Sequence, residues 1–215
     1  MSERIDQNPV SDTGNCKGAL KVTARRAVLT IAAALALAAC TPGASSLPAG
    51  PAGGPGGPFH LTDQDGRPVD QHVLDGKWSI VFFGYTYCPD FCPTTLTTLG
   101  SALDELGPKA NDLQVVFITV DPARDSPGQL KTYLSSKVFP RHTIGLTGTP
   151  AQIAEAAKDY VVYYQKDGTG PNYTMDHSTA LYLMDPHGRF RAVIADGLTP
   201  DQEAHAITQA MAGQA

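Results

Sequence analysis

Two cysteines, Cys88 and Cys92, stand four residues apart in V-F-F-G-Y-T-Y-C-P-D-F-C-P-T-T-L (Val81–Leu96), where an apolar run gives way to a helix start. At i and i+4 both sulfurs face one side of a single helical turn. Three chemistries are open to such a pair: a redox couple, a disulfide staple, or two soft donors of a metal site. At a helix amino end the unpaired N–H groups and the helix dipole favour an anion, so a thiolate there is stabilised and both thiols are expected to be reactive.

The staple reading is the weakest. Of four cysteines, Cys16 lies in the leader and Cys40 at its end, which leaves only Cys88 and Cys92 in the body of the chain. An exported protein that needed disulfides for stability would carry more bridges over longer loops. Two thiolates alone would suit Cu(I) in a linear site, and a third ligand would decide between metal transport and redox work. Among six histidines, His177 in Y-T-M-D-H-S stands immediately before a strand expected from Ser178. A lone histidine at a strand entrance is most often a surface or capping residue. Its expected place opposite the cysteines makes it the candidate third ligand, with Asp176 as a possible acceptor behind the ring. His60, His72, His142, His187 and His205 fall in hairpins, loops or on a helix and read as solvated.

The elements that must position these residues alternate between strand and helix. F-H-L-T-D-Q-D-G-R-P-V carries an Asp65-Gly66 turn and predicts an N-terminal hairpin. Trp78–Phe83 and Leu113–Val120 are continuous apolar runs, as for strands buried on both faces, and Leu96, Leu99, Leu103 and Leu106 between them lie at helical spacing. Strand, helix, strand at this spacing is a right-handed unit with parallel strands. Ser126-Pro127-Gly128-Gln129, Thr149-Pro150-Ala151-Gln152 and Thr199-Pro200-Asp201-Gln202 predict three helices, each opened by a capping box. Ser178–Met184 and Phe190–Ala195 predict a C-terminal hairpin. The order implies a thioredoxin-like α/β sandwich with an added N-terminal β-hairpin and an insertion near residues 161–176, before the C-terminal hairpin. In that fold the cysteines sit past the carboxyl end of a central strand, where α/β proteins place their chemistry. Their C-x-x-x-C spacing is wider than the C-x-x-C of thioredoxin-type enzymes.

Outside this domain, Arg25-Arg26 precede the uncharged run Ala27–Ala39, which has signal-peptide length and is short for a membrane span. The run ends in Leu37-Ala38-Ala39-Cys40, which resembles a bacterial lipobox, with Cys40 as the lipidated residue; the alternatives are ordinary signal-peptidase cleavage after the small residues or an uncleaved N-terminal anchor. Residues 1–40 are thus read as an export signal, 41–58 as a Pro/Gly-rich flexible tether spanning roughly 25 Å, and 59–215 as the folded domain. Subtracting the leader's five basic and three acidic residues from the chain's 16 and 21 leaves 11 − 18 = −7. An acidic body with no basic patch argues against nucleic acid as a partner.

Three blocks together, F-G-Y-T-Y-C-P-D-F-C-P-T-T-L, V-D-P-A-R-D-S-P (Val120–Pro127) and D-H-S-T-A-L-Y-L-M-D-P-H-G, resemble the Sco/SenC family over about residues 59–215. These are copper-binding, thioredoxin-like proteins that assist cytochrome c oxidase assembly. The resemblance implies that Cys88, Cys92 and His177 bind one copper, as Cu(I) or Cu(II). It implies a membrane-tethered metallochaperone outside the cytoplasm that delivers copper to the copper-binding subunit of the oxidase, with an upstream copper donor or thiol reductant as a further partner. Many members have histidine just before the first cysteine, where this chain has Tyr87. The alternative is a thiol-disulfide oxidoreductase that uses Cys88 and Cys92 to keep the oxidase cysteines reduced. A peroxidase would need a P-x-x-x-T-x-x-C pattern that this sequence lacks, and zinc is the less favoured metal for a Cys₂His set.

Smaller roles are expected nearby. Asp121 and Asp125 should cap the helix at Ser126 and pair with Arg124, Asp90 should shape the cysteine loop, and Pro89 and Pro93 should fix the turn, with Pro93 at the first helical position. Met175 is read as packing, and Tyr160, Tyr163, Tyr164 and Tyr173 as packing the insertion.

Overall fold

The computed structural model describes residues 53–213. The export signal, Cys40 and most of the tether lie outside them.

The two apolar runs form the middle of the sheet. Strand β3 (Trp78–Gly84) pairs in parallel with β4 (Leu113–Thr119), from Trp78↔Leu113 to Gly84↔Thr119. Helix α1 (Phe91–Leu106) makes the crossover, burying Cys92, Leu96, Leu99 and Leu103 along one face. β5 (Ile144–Thr147) adds in parallel beyond β4, and β1 (His60–Asp63) with β2 (Pro68–Asp70) closes that edge as the expected hairpin. On the other side β8 (Leu181–Met184) runs antiparallel to β3 and is followed by β9 (Phe190–Ile194). The sheet order is β2-β1-β5-β4-β3-β8-β9. Helices α2 (Pro127–Leu134), α3 (Pro150–Asp159) and α4 (Pro200–Met211) complete the thioredoxin-like sandwich, with α4 packed on α1.

Side chains alternate across the strands, so Phe82 packs edge-on to Phe117 while Phe83 faces the Tyr160 ring. Tyr160 is therefore core, fully buried under the sheet, and not part of the insertion. The insertion is a separate two-stranded ribbon, β6 (Tyr164–Asp167) and β7 (Thr174–His177), in which Tyr164 pairs with His177. His177 thus ends a strand, and β8 begins at Leu181 and not at Ser178.

Two of the expected capping interactions form with their glutamines: Thr149 N–H donates to Gln152 Oε1 at 2.8 Å, and Thr199 N–H to Gln202 Oε1 at 3.0 Å. At α2 only half the box is made. Ser126 accepts from Gln129 N–H at 3.3 Å, but the Gln129 side chain turns away and donates to Thr86 in the cysteine loop at 3.1 Å. Pro93 occupies the third helical position, not the first, and still sits where no intrahelical N–H is required.

The tether ends sooner than its composition suggests. Gly56 N–H donates to the Asp159 carbonyl at 2.9 Å, and Gly56 and Gly57 are buried. A Cβ on Gly54 would lie 2.6 Å from the Phe190 ring, so this glycine is required by packing. Phe190 pairs with Met184 and Met184 with Ser79, at the start of β3. The chain therefore enters at the end of the sheet opposite the cysteines.

Candidate metal site

β3 ends at Gly84, and Tyr85, Thr86 and Tyr87 carry the chain to Cys88. A buried carboxylate fixes this loop: Asp125 accepts from Thr86 N–H at 3.0 Å, Thr86 Oγ1–H at 2.6 Å and Thr119 Oγ1–H at 2.6 Å. Burial without a counter-ion pushes the Asp125 carboxyl up, and these three bonds partly offset the shift. Asp125 thus organises the loop from beneath; Ser126 is the residue that caps α2. Asp90 is the N-cap residue of α1, its carbonyl accepting from Thr94 N–H at 3.2 Å.

The first turn of α1 brings the sulfurs together. Cys92 N–H donates to Cys88 Sγ at 3.3 Å, Cys88 is half-buried and Cys92 buried, and neither is in a disulfide. His177 arrives from β7 with Nε2 3.5 Å from Cys92 Sγ. Its other nitrogen, Nδ1, lies 2.9 Å from the Ser178 carbonyl, which can only accept, so Nδ1 carries the proton and the Nε2 lone pair faces the sulfurs. The Phe82 and Tyr85 rings hold the imidazole edge-on at 6.3 and 5.8 Å between centroids. The three donor atoms lie within 4.8 Å of one another. Ligand bonds of about 2.0–2.3 Å in a trigonal site need donors about 3.5–4 Å apart, so a small inward movement would let all three grip one ion.

The two thiols are not equivalent. The Cys92 thiol donates to Cys88, and this, with help from the Cys92 and Asp90 N–H groups, pulls the Cys88 thiol far below its ordinary range despite burial. The same bond and burial push the Cys92 thiol up. One proton is thus held between the sulfurs with the thiolate on the more exposed Cys88.

Arg124 and Tyr173 join the ribbon to the cysteine loop. Arg124 is ion-paired with Asp121, donates to the Tyr173 carbonyl at 2.9 Å, and stacks 3.6 Å over the Tyr173 ring and 4.8 Å from that of Tyr87. Tyr173 in turn donates its hydroxyl to Asp121 at 2.7 Å. One guanidinium therefore touches the residue before Cys88 and the turn that leads into His177.

A protein-family model described as SCO1/SenC matches residues 50–212. The chain belongs to the SCO1/SenC family. Among relatives, it is 48% identical over 139 residues to the yeast Saccharomyces cerevisiae "Protein SCO1, mitochondrial", covering 63% of this chain and 46% of that one. It is 42% identical over 153 residues to "Protein SenC" of Rhodobacter capsulatus, covering 71% and 68%. The structure of Bradyrhizobium japonicum ScoI with copper bound matches with a TM-score of 0.65 at 45% identity, over 72% of this chain and 98% of that one. Yeast Sco1 with copper bound matches at 0.66 and 42% identity, over 73% and 87%. The chain spans somewhat under half the length of the first of these curated relatives.

Within this SCO1/SenC domain the sequence-derived trio Cys88, Cys92 and His177 is brought together, and Asp176 is not: its side chain is exposed, and the ring's acceptor is the Ser178 carbonyl. Met175 packs, partly buried, against the core, and the other five histidines are exposed. Two contributors lie beyond the sequence expectations. Tyr173, expected only to pack the insertion, bonds across to Asp121. At Gly84 a Cβ would lie 2.9 Å from the Phe117 ring and 3.0 Å from Cys92 Sγ. An isolated glycine closing an apolar strand was the available signal for such a close approach.

Proposed function

We propose that this chain is a copper metallochaperone, which binds one copper ion through Cys88, Cys92 and His177 and passes it to the copper-binding subunit of a cytochrome c oxidase. The observation that carries this reading is the donor set: two sulfurs and an Nε2 lone pair within 4.8 Å, on a partly exposed surface. Thiolate and imidazole together suit Cu(I) and permit Cu(II), and three ligands leave room for a fourth from an acceptor, so transfer proceeds by ligand exchange. Copper-bound relatives at 42–45% identity support the choice of metal. The export signal at 1–40, lipidation at Cys40 and a tether up to the packed residues near Gly54 would hold the domain outside the cytoplasm at a membrane. Because the chain enters opposite the cysteines, the site would point away from that anchor.

The test is an anaerobic titration of the reduced protein with Cu(I) and Cu(II), in wild type and His177→Ala. We expect one copper per chain, sulfur-to-Cu(II) charge-transfer absorption, and in the variant a loss of affinity of about a hundredfold or more, since even outer partners of a ligand are worth 10–100-fold. Loose binding that the variant leaves unchanged would overturn the reading.

A thiol-disulfide oxidoreductase is the second reading, favoured by the asymmetry of the pair. A half-buried Cys88 thiolate can attack a substrate disulfide, releasing one substrate thiol. Cys92 then attacks the mixed disulfide at Cys88, so that the substrate leaves reduced and Cys88–Cys92 is oxidised. Its signature is reduction of one substrate disulfide per reduced chain, and turnover once a dithiol reductant is added to regenerate Cys88 and Cys92, both surviving in His177→Ala.

A further inference from the structure

Beside the metal-site end of α1, on the side away from the cysteines, lies a cavity of about 100 Å³, with Glu203 of α4 in its wall. Its other walls include Phe91, Thr95 and Thr98 of α1 and Leu181 of β8, and Asp196 stands at its rim. Glu203 is 3% exposed and has no ion pair among the described residues, and its carboxylate oxygens are not among the atoms sealed from solvent but open on the cavity that the residue lines. A carboxylate so largely withdrawn from water, with no cation beside it, is free to receive one from outside. Its position in the first turn of α4 offers some compensation from the helix dipole, but no donor side chain.

The lining is chemically specific. The Glu203 and Asp196 carboxylates, the threonines of α1 and the apolar surface of Phe91 and Leu181 together suit a cationic head on a short alkyl stem, even though Asp196 also accepts from Thr179 at 2.9 Å. The volume is far above the ~10–15 Å³ that one water requires. Phe91, 36% exposed, is one of the lining residues, and an aromatic ring at the cavity suits a cation more than a neutral guest. Exposed Asp90, Asp176 and Asp196 stand around the same end with no ion pair among the described residues, so the approach is negative as well. A hard divalent metal would need more oxygen ligands than one buried carboxylate and its neighbours supply.

We propose that this cavity receives one basic side chain, lysine or arginine, of the protein that docks on the metal-bearing end. It would fix that partner's register beside Cys88 while the metal is exchanged. The identity of the partner rests on the chaperone reading; the cation specificity of the cavity does not.

The test uses metal-free, reduced protein titrated with n-propylguanidinium and n-butylammonium, with neutral 1-pentanol as control, followed by the NMR shifts of the Thr94, Thr95, Thr98 and Gly197 amides. Saturable shifts confined to these residues are expected for the cations, with affinity reduced tenfold or more in Glu203→Gln and abolished in Thr98→Met, which fills the cavity and leaves the carboxylate in place. Copper affinity should be unchanged in both variants, so failure of copper binding and failure of cation binding are separate results. Equal binding of pentanol, non-saturating shifts, or full cation binding in Glu203→Gln, in a variant that keeps the wild-type near-UV circular dichroism, would overturn the proposal.

Discussion

Gly84 decides how close the Cys92 sulfur can lie to the end of β3. The sulfur and the Phe117 ring together occupy the space a β-carbon would need, at 3.0 and 2.9 Å. Phe117 cannot retreat easily, being fully buried with Phe82 and Tyr133 rings against it. Gly84→Ala should therefore cost about 1–3 kcal/mol, as overpacking does, and drive Cys92 Sγ away from His177. Thermal unfolding and the rate of Cys92 alkylation check this: a lower midpoint with faster alkylation is expected, and a variant with wild-type values for both would show that the strand end yields freely. At this scale the chemistry was legible, because soft donors at i and i+4 beside a helix start have few uses. The orientation of His177 was not. It depends on which carbonyl or carboxylate meets Nδ1, and sequence proximity favoured Asp176 while the backbone supplied the Ser178 carbonyl.

Among elements, the ribbon β6–β7 has little of its own to hold it, since its strands are mostly exposed and pair only with each other. Its turn end, at the opposite end of β7 from His177, is anchored through Tyr173 to Asp121 and Arg124, 52 and 49 residues away in sequence. Tyr173→Phe removes the hydroxyl bond to Asp121 and keeps the ring under the guanidinium, so the cost should be about 1 kcal/mol. Arg124→Lys also loses the planar stack and the directed bond to the Tyr173 carbonyl, and should cost more. Both should speed hydrogen exchange at the Lys166 and Met175 amides and weaken copper binding several-fold, while exchange in β3 and β4 stays slow. Unaltered ribbon exchange in Arg124→Lys would mean that the ribbon is held by something else. The sandwich was readable from apolar runs, Pro-led helix starts and an Asp-Gly turn, because each is a local signal. The anchoring of the ribbon was not, since no local pattern states which distant carboxylate a tyrosine will reach. Gln129 carries the same lesson: the S-P-x-Q pattern predicts a closed capping box, but the buried Thr86–Asp125 cluster offers its amide a better partner.

For the molecule as a whole, the burial of acids sets how stability responds to pH. Asp63 and Asp185, each paired with an arginine four residues on, have lowered carboxyl pKa values, so the stability they contribute is lost only as pH falls through the acidic range. Glu203 works in the opposite sense. Burial pushes its carboxyl up to about 7, against about 4.3 in an unfolded chain, so between these values the folded state holds a proton that the unfolded state has released. Stability from this group is fully present below about pH 4.3, falls as pH rises, and is gone above about pH 7. Allowing for partial solvent access through the cavity, the loss is on the order of 2 kcal/mol. Denaturant melts of reduced, metal-free protein at pH 5, 6, 7 and 8 should therefore show wild type losing ground to Glu203→Gln as pH rises, with Glu203→Gln the more stable protein at pH 8. Each absolute slope also carries the Cys88 thiol, whose lowered pKa adds stability as pH rises, and the raised Asp125 carboxyl, which removes it; both are common to the two proteins and cancel in the difference. Identical slopes in the two proteins would mean that Glu203 is solvated or paired in solution, and would remove the energetic reason for the cavity beside α1 to take up a cation. A gap between the two proteins that widens with pH would tie that stability loss to the same carboxylate proposed to meet the partner's basic side chain.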